Sequence, residues 1–438
     1  MGAMKSSRTR IRVIRCWITR AESKTFRRGT SGKRGVFPLV SPHLLSYVFS
    51  FVLFLAASLH AFGQAAPPLD YYDSAIGQTG AALKSALHEI IKGHTVLPYT
   101  ATPTDTWDAL KVLDEDPANA ANVLLLYSGY SVPKAAQWTG SSGIWDREHL
   151  WPQSFGLVAL NANSRARTDV FNLRPCDVSV NSSRGNKYYD ETTPPGSSYP
   201  DAPLSSYDND SWEPRPEEKG LIARSLFYMA VRYAGTDPDV PDLELSDTPN
   251  PALYRFGKLS TLLAWHRQFS VTTAERERNQ RIYSDYQHNR NPFIDHPEFA
   301  DIVFATASPL DAWRALHFNA VELANPAQSG DTADLDHDGF ATVLEYTFHS
   351  DPRHPQTTPL LTASVVTIGD NHFLEVIFPH NRFATDVSIS YEGSEDCTTW
   401  APLTPDSISA GVTDFETEQW TVRFSAPAPQ FFLRLRVD

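Results

Sequence analysis

The hydrophobic periodicity of the 438-residue chain changes near Phe304, and this change constrains the fold more than any other feature. Before it, four segments have apolar residues at helical spacing or carry helix-capping signals: "AALKSALHEIIKG", "GLIARSLFYMAVRYAG", "LSTLLAWHRQF" and "TAERERNQRIYSDYQ". After it, patterns such as "HFLEVIF", "DVSISY", "EQWTVRF" and "QFFLRLRV" predict short strands joined by turns. The sequence therefore predicts the α+β class, with a small all-β part at the C-terminal end.

Residues 1–65 differ from the rest of the chain. An arginine-rich stretch is followed by an apolar run from Leu44 to Leu59 and then by small residues up to Ala65. A basic region, an apolar core and a small-residue exit are typical of a secretory signal. We expect cleavage near Ala65 and a secreted or periplasmic protein that keeps no stable membrane partner. A retained membrane helix is the alternative.

Loss of this leader makes the protein strongly acidic. Residues 1–65 contain 11 Lys or Arg and one acidic residue, a net charge of +10, so the formal charge falls from −13 to −23. Such a chain should not bind a polyanion non-specifically, and a local basic groove or a metal would have to attract nucleic acid. The remaining cysteines, Cys176 and Cys397, are too few for a disulfide scaffold or a thiolate zinc site.

Chemically active side chains are concentrated in the irregular stretch between residues 128 and 203. "WDREHLWPQSFG" places Glu148 beside His149, and both can reach one site only where the alternation of a strand breaks, at its end or at a bulge. Further on, "VFNLRP" predicts a strand that stops at Pro175. Asp177 can then cap a short helix that carries Asn181 and Arg184 on one face.

These groups suit the hydrolysis of a phosphodiester. The oxygens of Glu148 and Asn181 are ligands for a hard divalent cation. The neutral imidazole of His149 can take a proton from water near pH 7. Arg184 offers a fork of donors to phosphate oxygens. Three further arginines compete for the phosphate-binding role: Arg165, Arg167 and Arg174.

The motifs "DREHLWPQSFG", "LRPCDVSVNSSRGN" and "NRNPFIDHPE" closely resemble those of the bacterial endonuclease I family, secreted or periplasmic nucleases of the His-Me finger (ββα-metal) superfamily. The resemblance runs from about Asp70 to Ala305. It implies that His149 activates water while Glu148 and Asn181 hold one Mg²⁺. The substrate would be DNA, with RNA as a further substrate, cut to leave 5′-phosphate ends. In "NRNPFIDHPE" we expect Asn289 and Asn291 to satisfy backbone groups; a contribution of this motif to the substrate groove is the alternative.

The segment "DLDHDGFATVLE" matches an EF-hand-type calcium loop. Gly339 falls at position 6, where the loop needs a sharp turn. The predicted ligands at positions 1, 3, 5, 7, 9 and 12 are Asp334, Asp336, Asp338, the carbonyl of Phe340, Thr342 and Glu345. We predict a structural Ca²⁺ site; an acidic, solvated linker is the alternative.

Together these features predict four segments and one leading function. The segments are a leader at 1–65, a His-Me finger catalytic domain at 68–305, a linker with the calcium loop at 306–352, and a β-sandwich-like domain at 353–438. The leading function is a secreted, Mg²⁺-dependent endonuclease. The alternative is a catalytically silent surface-binding protein that uses its β-domain. A phosphomonoesterase is disfavoured because the several carboxylates of a two-metal site are missing.

Overall fold

The structure, a computed structural model, describes residues 67–101, 103–157, 161, 164–193, 196–235, 241–425 and 431–438, and in addition the backbone of a strand at Val13–Ile14. The predicted leader lies outside these residues apart from that strand. Within the described residues, no helix has both the length and the apolar character needed to cross a bilayer.

Most helices lie before residue 305, as the periodicity predicts, but further short helices that the sequence did not indicate lie between residues 309 and 348. The helices are α1 (Gly80–Ile91), α2 (Thr106–Leu113), α3 (Arg165–Thr168), α4 (Val178–Arg184), α5 (Pro216–Arg232), α6 (Leu259–Gln268), α7 (Thr273–Arg281), α8 (Pro292–Asp295), α9 (Pro309–His317), α10 (Ala320–Leu323), α11 (Pro326–Ser329) and α12 (Thr342–Phe348). All four helical segments predicted from the sequence are confirmed. Helix α7 begins with a capping box between Thr272 and Glu275, which satisfies the first free backbone amides.

The strands form several small sheets. They are β1 (Val13–Ile14), β2 (Glu115–Asp116), β3 (Asn119–Leu124), β4 (Ser131–Pro133), β5 (Trp145–His149), β6 (Leu173–Asp177), β7 (Tyr188–Tyr189), β8 (Ser197–Tyr199), β9 (Ala202–Tyr207), β10 (Ser211–Glu213), β11 (Glu244–Leu245), β12 (Arg255–Phe256), β13 (Thr362–Ile368), β14 (Asn371–Asn381), β15 (Ile389–Ser394), β16 (Ala401–Pro402), β17 (Ser407–Val412), β18 (Thr417–Ser425) and β19 (Phe432–Val437). Mixed helices and sheets confirm the α+β class.

Strands β5 and β6 pair antiparallel and lead directly into helix α4, which makes a ββα unit. The register places His149 opposite Leu173. The predicted stop at Pro175 is wrong: β6 continues through Pro175 to Asp177, and the proline carbonyl accepts the amide of Leu126. Asp177 then caps α4 by accepting the amides of Ser179 and Val180, as predicted.

A long central helix, α5, supports this unit. It begins with Pro216 at its first turn and packs against α1 and α6. Nearly all of its side chains after the first turn are buried, and they belong to the largest hydrophobic cluster of the described residues. Because α5 is buried on nearly every face, it acts as the core around which the other elements pack.

Four C-terminal strands form one sheet, in the order β13-β14-β18-β17, and three more join the N-terminal β1 in a second sheet, in the order β1-β19-β15-β16. Leu374 and Phe424 from the first sheet and Tyr391 and Leu433 from the second lie in one buried cluster. The sequence patterns identify β14, β15, β18 and β19 but miss β17, whose residues are all exposed and therefore carry no apolar alternation. The exact division into domains stays a prediction.

The C-terminal strands and the earlier helices are held together by charged contacts. Arg382 forms an ion pair with Asp73, and its Nη1 donates to the carbonyl of Leu69 at 3.2 Å. Glu416 lies between two histidines: its Oε2 is 3.1 Å from Nε2 of His349, and its Oε1 is 3.7 Å from Nδ1 of the buried His296.

These contacts shift the pKa values of the three groups. Burial lowers the pKa of both histidines, but the neighbouring carboxylates outweigh it and leave the pKa of His296 and His349 above the ordinary 6.5. Burial raises the pKa of Glu416, but the two histidines bring it below the ordinary 4.5. The histidines contribute their full share to the free energy of unfolding below pH 6.5, and this share declines as the pH rises through their raised pKa values. The contribution of Glu416 is lost in the opposite direction, as the pH falls below 4.5.

We predict that His349→Asn destabilises the protein more at pH 6 than at pH 9, by about 0.5 kcal/mol, the magnitude of a partly exposed ion pair. His349 has a left-handed backbone with φ of 55°, which asparagine tolerates. The control is His288→Asn, another exposed left-handed position, with φ of 62°. Thermal unfolding at both pH values measures the effect. An equal loss at pH 6 and pH 9 would contradict the assignment.

Candidate active site

The ββα unit brings the predicted acid, imidazole, amide and guanidinium together. Glu148 and His149 are the last two residues of β5, the strand end that the chemistry requires. Asn181 lies on α4, and its Nδ2 is 3.4 Å from the carbonyl of Arg147, next to Glu148. Arg184 is the last residue of α4, and it reaches back to the hairpin.

The carboxylate of Glu148 is buried at 2% exposure. Its Oε1 accepts the hydroxyl of Tyr127 at 2.8 Å and lies 3.2 Å from Nη1 of Arg184. Burial raises the pKa of Glu148, while Arg184 and the Tyr127 hydroxyl oppose the rise. Both side-chain contacts found among the described residues are to Oε1, and the backbone amide of His149 also donates to the carboxylate. Tyr127 and Arg184 thus anchor Oε1, and Oε2 is the candidate ligand atom.

Arg184 is fully buried and makes internal contacts instead of presenting its guanidinium to a phosphate. Its Nη1 donates to the carbonyl of His149 at 3.0 Å, and its Nη2 donates to the carbonyl of Leu150 at 2.7 Å. The guanidinium also lies 4.6 Å from the ring centroid of Tyr189. This geometry does not match the predicted phosphate contact, because the fork of donors is already occupied by the hairpin that carries the site.

Both ring nitrogens of His149 have neighbours. Its Nε2 is 3.0 Å from the carbonyl of Arg167, so this nitrogen carries the proton and donates it. Nδ1 is then the acceptor, and Nε2 of Gln153 lies 3.3 Å from it. Burial is the main cause that lowers the pKa of His149 to about 3. The imidazole is therefore neutral and able to take a proton at Nδ1.

A buried network around Asp169, which the sequence did not indicate, fixes the carbonyl that orients His149. Oδ2 of Asp169 accepts the hydroxyls of Tyr228 and Tyr233, both at 2.8 Å. The Tyr233 hydroxyl also contacts the carbonyl of Arg165 at 2.9 Å. Helix α3 and its Arg167 carbonyl are thereby tied to the central helix α5. No sequence pattern reveals this network, because Asp169 is far from the two tyrosines in the sequence and meets them only in the folded protein.

The "NRNPFIDHPE" motif belongs to the same support. Nδ2 of Asn289 donates to the Tyr228 hydroxyl at 2.8 Å and lies 3.0 Å from the carbonyl of Ile91. Nδ2 of Asn291 donates to the carbonyl of Arg224 at 3.0 Å. The expectation that these amides satisfy backbone groups is confirmed.

The other arginines predicted as phosphate contacts differ in their surroundings. Arg174 is 13% exposed and paired at 2.6 Å with Asp114, a carboxylate that it shares with Arg278, so its guanidinium is already engaged within the protein. Arg165 and Arg167 are half-buried neighbours on α3, beside the carbonyl that His149 contacts. Position and exposure thus favour α3 over α4 and β6 as the source of a phosphate contact.

The Asp-rich loop contains a compact group of carboxylates. Oxygens of Asp334, Asp336 and Asp338 lie within 4.8 Å of one another. Both oxygens of the buried Glu345 lack a hydrogen-bond partner within the part of the chain that the structure describes. Burial and then the three aspartates raise the pKa of Glu345 to about 8. Gly339 has a φ of 90°, as the predicted sharp turn requires.

Thr342, predicted as a ligand of this loop, has a different contact. Its hydroxyl is buried and donates to the carbonyl of Ala333 at 3.1 Å. The amide of Phe340 donates to Oδ1 of Asp338 at 2.7 Å, which shapes the turn at the predicted carbonyl ligand. The aspartates and Glu345 therefore form the main oxygen donor set.

Comparison with known proteins places this site within a family. A family profile for endonuclease I matches residues 79–298, which include the whole ββα unit and end before the Asp-rich loop. The chain is similar to an extracellular ribonuclease of Bacillus amyloliquefaciens, 54% identical over 235 residues, 53% of this chain and 78% of that protein. It is also similar to an extracellular ribonuclease of Bacillus subtilis (strain 168), 51% identical over 244 residues, 55% of this chain and 81% of that protein.

Because Arg184 balances a buried carboxylate, Arg184→Met should lower the free energy of unfolding by about 3 kcal/mol. Urea unfolding in the presence of EDTA measures this loss without help from a bound metal. The matched control is the double variant Glu148→Gln with Arg184→Met, which removes both charges and should recover most of the loss. A loss below about 1 kcal/mol in the single variant would contradict the structural role.

Proposed function

The chain belongs to the endonuclease I family and is a nuclease, and we propose that it hydrolyses phosphodiester bonds with a water activated by His149 and one Mg²⁺ held by Glu148 and Asn181. The observation on which the proposal rests is the hydrogen bonding of the two ring nitrogens of His149. Its Nε2 is held by the carbonyl of Arg167, and its Nδ1 is left as the proton acceptor at the end of the strand that also carries Glu148.

In this reaction Nδ1 of His149 takes a proton from water as the water oxygen forms a bond to phosphorus and the bond to the 3′ oxygen breaks, and the departing 3′ oxygen takes a proton from solvent water. The products are a 5′-phosphate and a 3′-hydroxyl. The low pKa of the free imidazole keeps it neutral before the substrate binds. The negative charge of a bound phosphate raises that pKa and stabilises the imidazolium that forms.

The donor set fits a hard cation. Oε2 of Glu148 and the side-chain oxygen of Asn181 are both oxygen ligands, and Tyr127 and Arg184 hold the other carboxylate oxygen in place. When bound, Mg²⁺ supplies positive charge to the phosphate in an otherwise acidic protein. Arg184 is a positioning residue in this proposal, and Arg165 or Arg167 is the phosphate contact.

Secretion and the choice of nucleic acid are also parts of the proposal. The leader pattern and the extracellular relatives both support export of the protein. Since both relatives are named ribonucleases, RNA joins DNA as an expected substrate. The rival function, a silent surface-binding protein, is disfavoured because the base, its orienting carbonyl and both oxygen ligands are all in place.

We predict that His149→Ala lowers the cleavage rate by about 10² to 10⁴ without loss of folding, since a positioned base contributes a factor of that size. The assay follows plasmid DNA and RNA separately, in Mg²⁺ and in EDTA. Asn181→Ala in the same assay should require about tenfold more Mg²⁺. The control His354→Ala changes an exposed histidine and should leave both measures unchanged. Cleavage in EDTA, or normal turnover by His149→Ala, would refute the mechanism.

We also propose that the Asp-rich loop binds Ca²⁺ through Asp334, Asp336, Asp338, Glu345 and the carbonyl of Phe340. Its unpartnered buried oxygens support this assignment, because such oxygens are costly unless a ligand satisfies them. Helix α12, which carries Glu345, packs against β14, so a bound ion would brace the start of the C-terminal strands. The role is structural and separate from cleavage.

Calcium should stabilise the protein by about 2.7 kcal/mol at a concentration 100 times its dissociation constant. The double variant Asp336→Ala with Glu345→Gln should abolish this gain. A control pair, Asp370→Ala with Glu395→Gln, removes the same charges from exposed positions outside the loop and should retain the gain. Thermal unfolding with and without Ca²⁺ provides the measurement. An equal gain in both double variants would mean that the loop is a solvated linker.

A further inference from the structure

A cavity of about 630 Å³ opens next to the active site and plays no part in the reaction as described above. This volume lies within the range of small-molecule pockets. Three aromatic side chains line it, Tyr99, Trp107 and Trp138, and polar groups including Gln137 and Asp146 lie between them. Trp138 is half-buried, so part of its ring reaches solvent, whereas the half-buried Tyr99 ring has the guanidinium of Arg147 and the ring of His149 as neighbours.

The cavity and the catalytic imidazole are neighbours at the end of strand β5. Arg147 lines the cavity, and His149 lies two residues further along the strand, about 7 Å away. Tyr99 connects them: its ring centroid is 5.9 Å from that of His149, with the planes inclined by 28°. A group that stacks in the cavity is therefore within a nucleotide's length of the reacting phosphate.

The charged groups of the cavity exclude a phosphate as its occupant. Arg147 is 8% exposed; its guanidinium carbon lies 3.5 Å from the Tyr99 ring centroid and 4.0 Å from that of Trp107. It is thus part of the wall rather than a free cation. The remaining lining carries more acid than base, with Asp105, Asp108 and Asp146 against Lys111. An uncharged, flat and aromatic ligand fits this lining, and a polyanion backbone does not.

We propose that the aromatic cavity binds a nucleobase of the substrate near the scissile phosphate, and that this contact makes the enzyme prefer single-stranded nucleic acid. The proposal rests on the proposed nuclease function. Every base has a π face that can stack on Trp138, and the side-chain amide of Gln137 can both donate and accept at the base edge. Bases in a duplex are already paired and stacked, so a single strand offers one at lower cost.

Short, end-labelled single strands of DNA test the proposal when one central residue is abasic. The cleavage rate at each bond is compared between this strand and the same strand with all its bases. With the wild-type protein we expect a drop of about tenfold at one bond, at a fixed distance from the abasic residue. In Trp138→Ala that bond should be cut slowly in both strands, and the difference between the strands should disappear.

The matched control is Trp400→Ala, which removes a half-buried tryptophan in the C-terminal region and should keep the tenfold drop. If the wild-type protein cuts both strands with the same profile, the cavity holds no base and the proposal is overturned, even if Trp138→Ala fails to fold. If Trp138→Ala folds and retains the drop, the cavity is likewise excluded. Failure of the wild-type protein to cut any strand would instead refute the proposed function itself.

Discussion

A buried charge pair between Glu148 and Arg184 underlies the arrangement of the active site. Both side chains are at most 2% exposed, and a buried charge is tolerable only where another charge and hydrogen bonds compensate it. Arg184 meets this condition and at the same time binds the carbonyls of His149 and Leu150. One side chain thereby joins helix α4 to the end of β5, so the distance between Asn181 and Glu148 depends on it.

The orientation of His149, the proposed base, depends on a second network, which lies outside the ββα unit. His149 contacts a carbonyl on the short helix α3, which a four-residue helix cannot hold still by itself. Asp169, directly after α3, accepts two tyrosine hydroxyls from the α5 segment. The buried helix α5 thus transmits its rigidity to the imidazole through hydrogen bonds, and Asn289 completes the connection to α1.

The acidic character of the chain and its nuclease chemistry are compatible because the charges are separated in space. The carboxylates of the Asp-rich loop lie beside the C-terminal strands. The proposed Ca²⁺ would offset their mutual repulsion. At the active site, cations occupy α3 and a metal is proposed beside Glu148, while the neighbouring cavity favours an uncharged base. Attraction of the substrate is therefore local, and the global field of a net acidic protein limits non-specific binding.

The sequence by itself determined the helical and β parts, the strand end at Glu148 and His149, the cap at Asp177 and the spacing of the Asp-rich loop. Each of these follows from local periodicity or from residues a few positions apart, which short-range geometry controls. Tertiary structure alone decided that Arg184 is buried, that β6 passes through Pro175, that Asp169 meets Tyr228 and Tyr233, and that Tyr99 lies beside His149. Those contacts join residues that are distant in the sequence. The residues next to a charged or aromatic side chain in the sequence do not indicate whether packing will bury it or leave it in solvent.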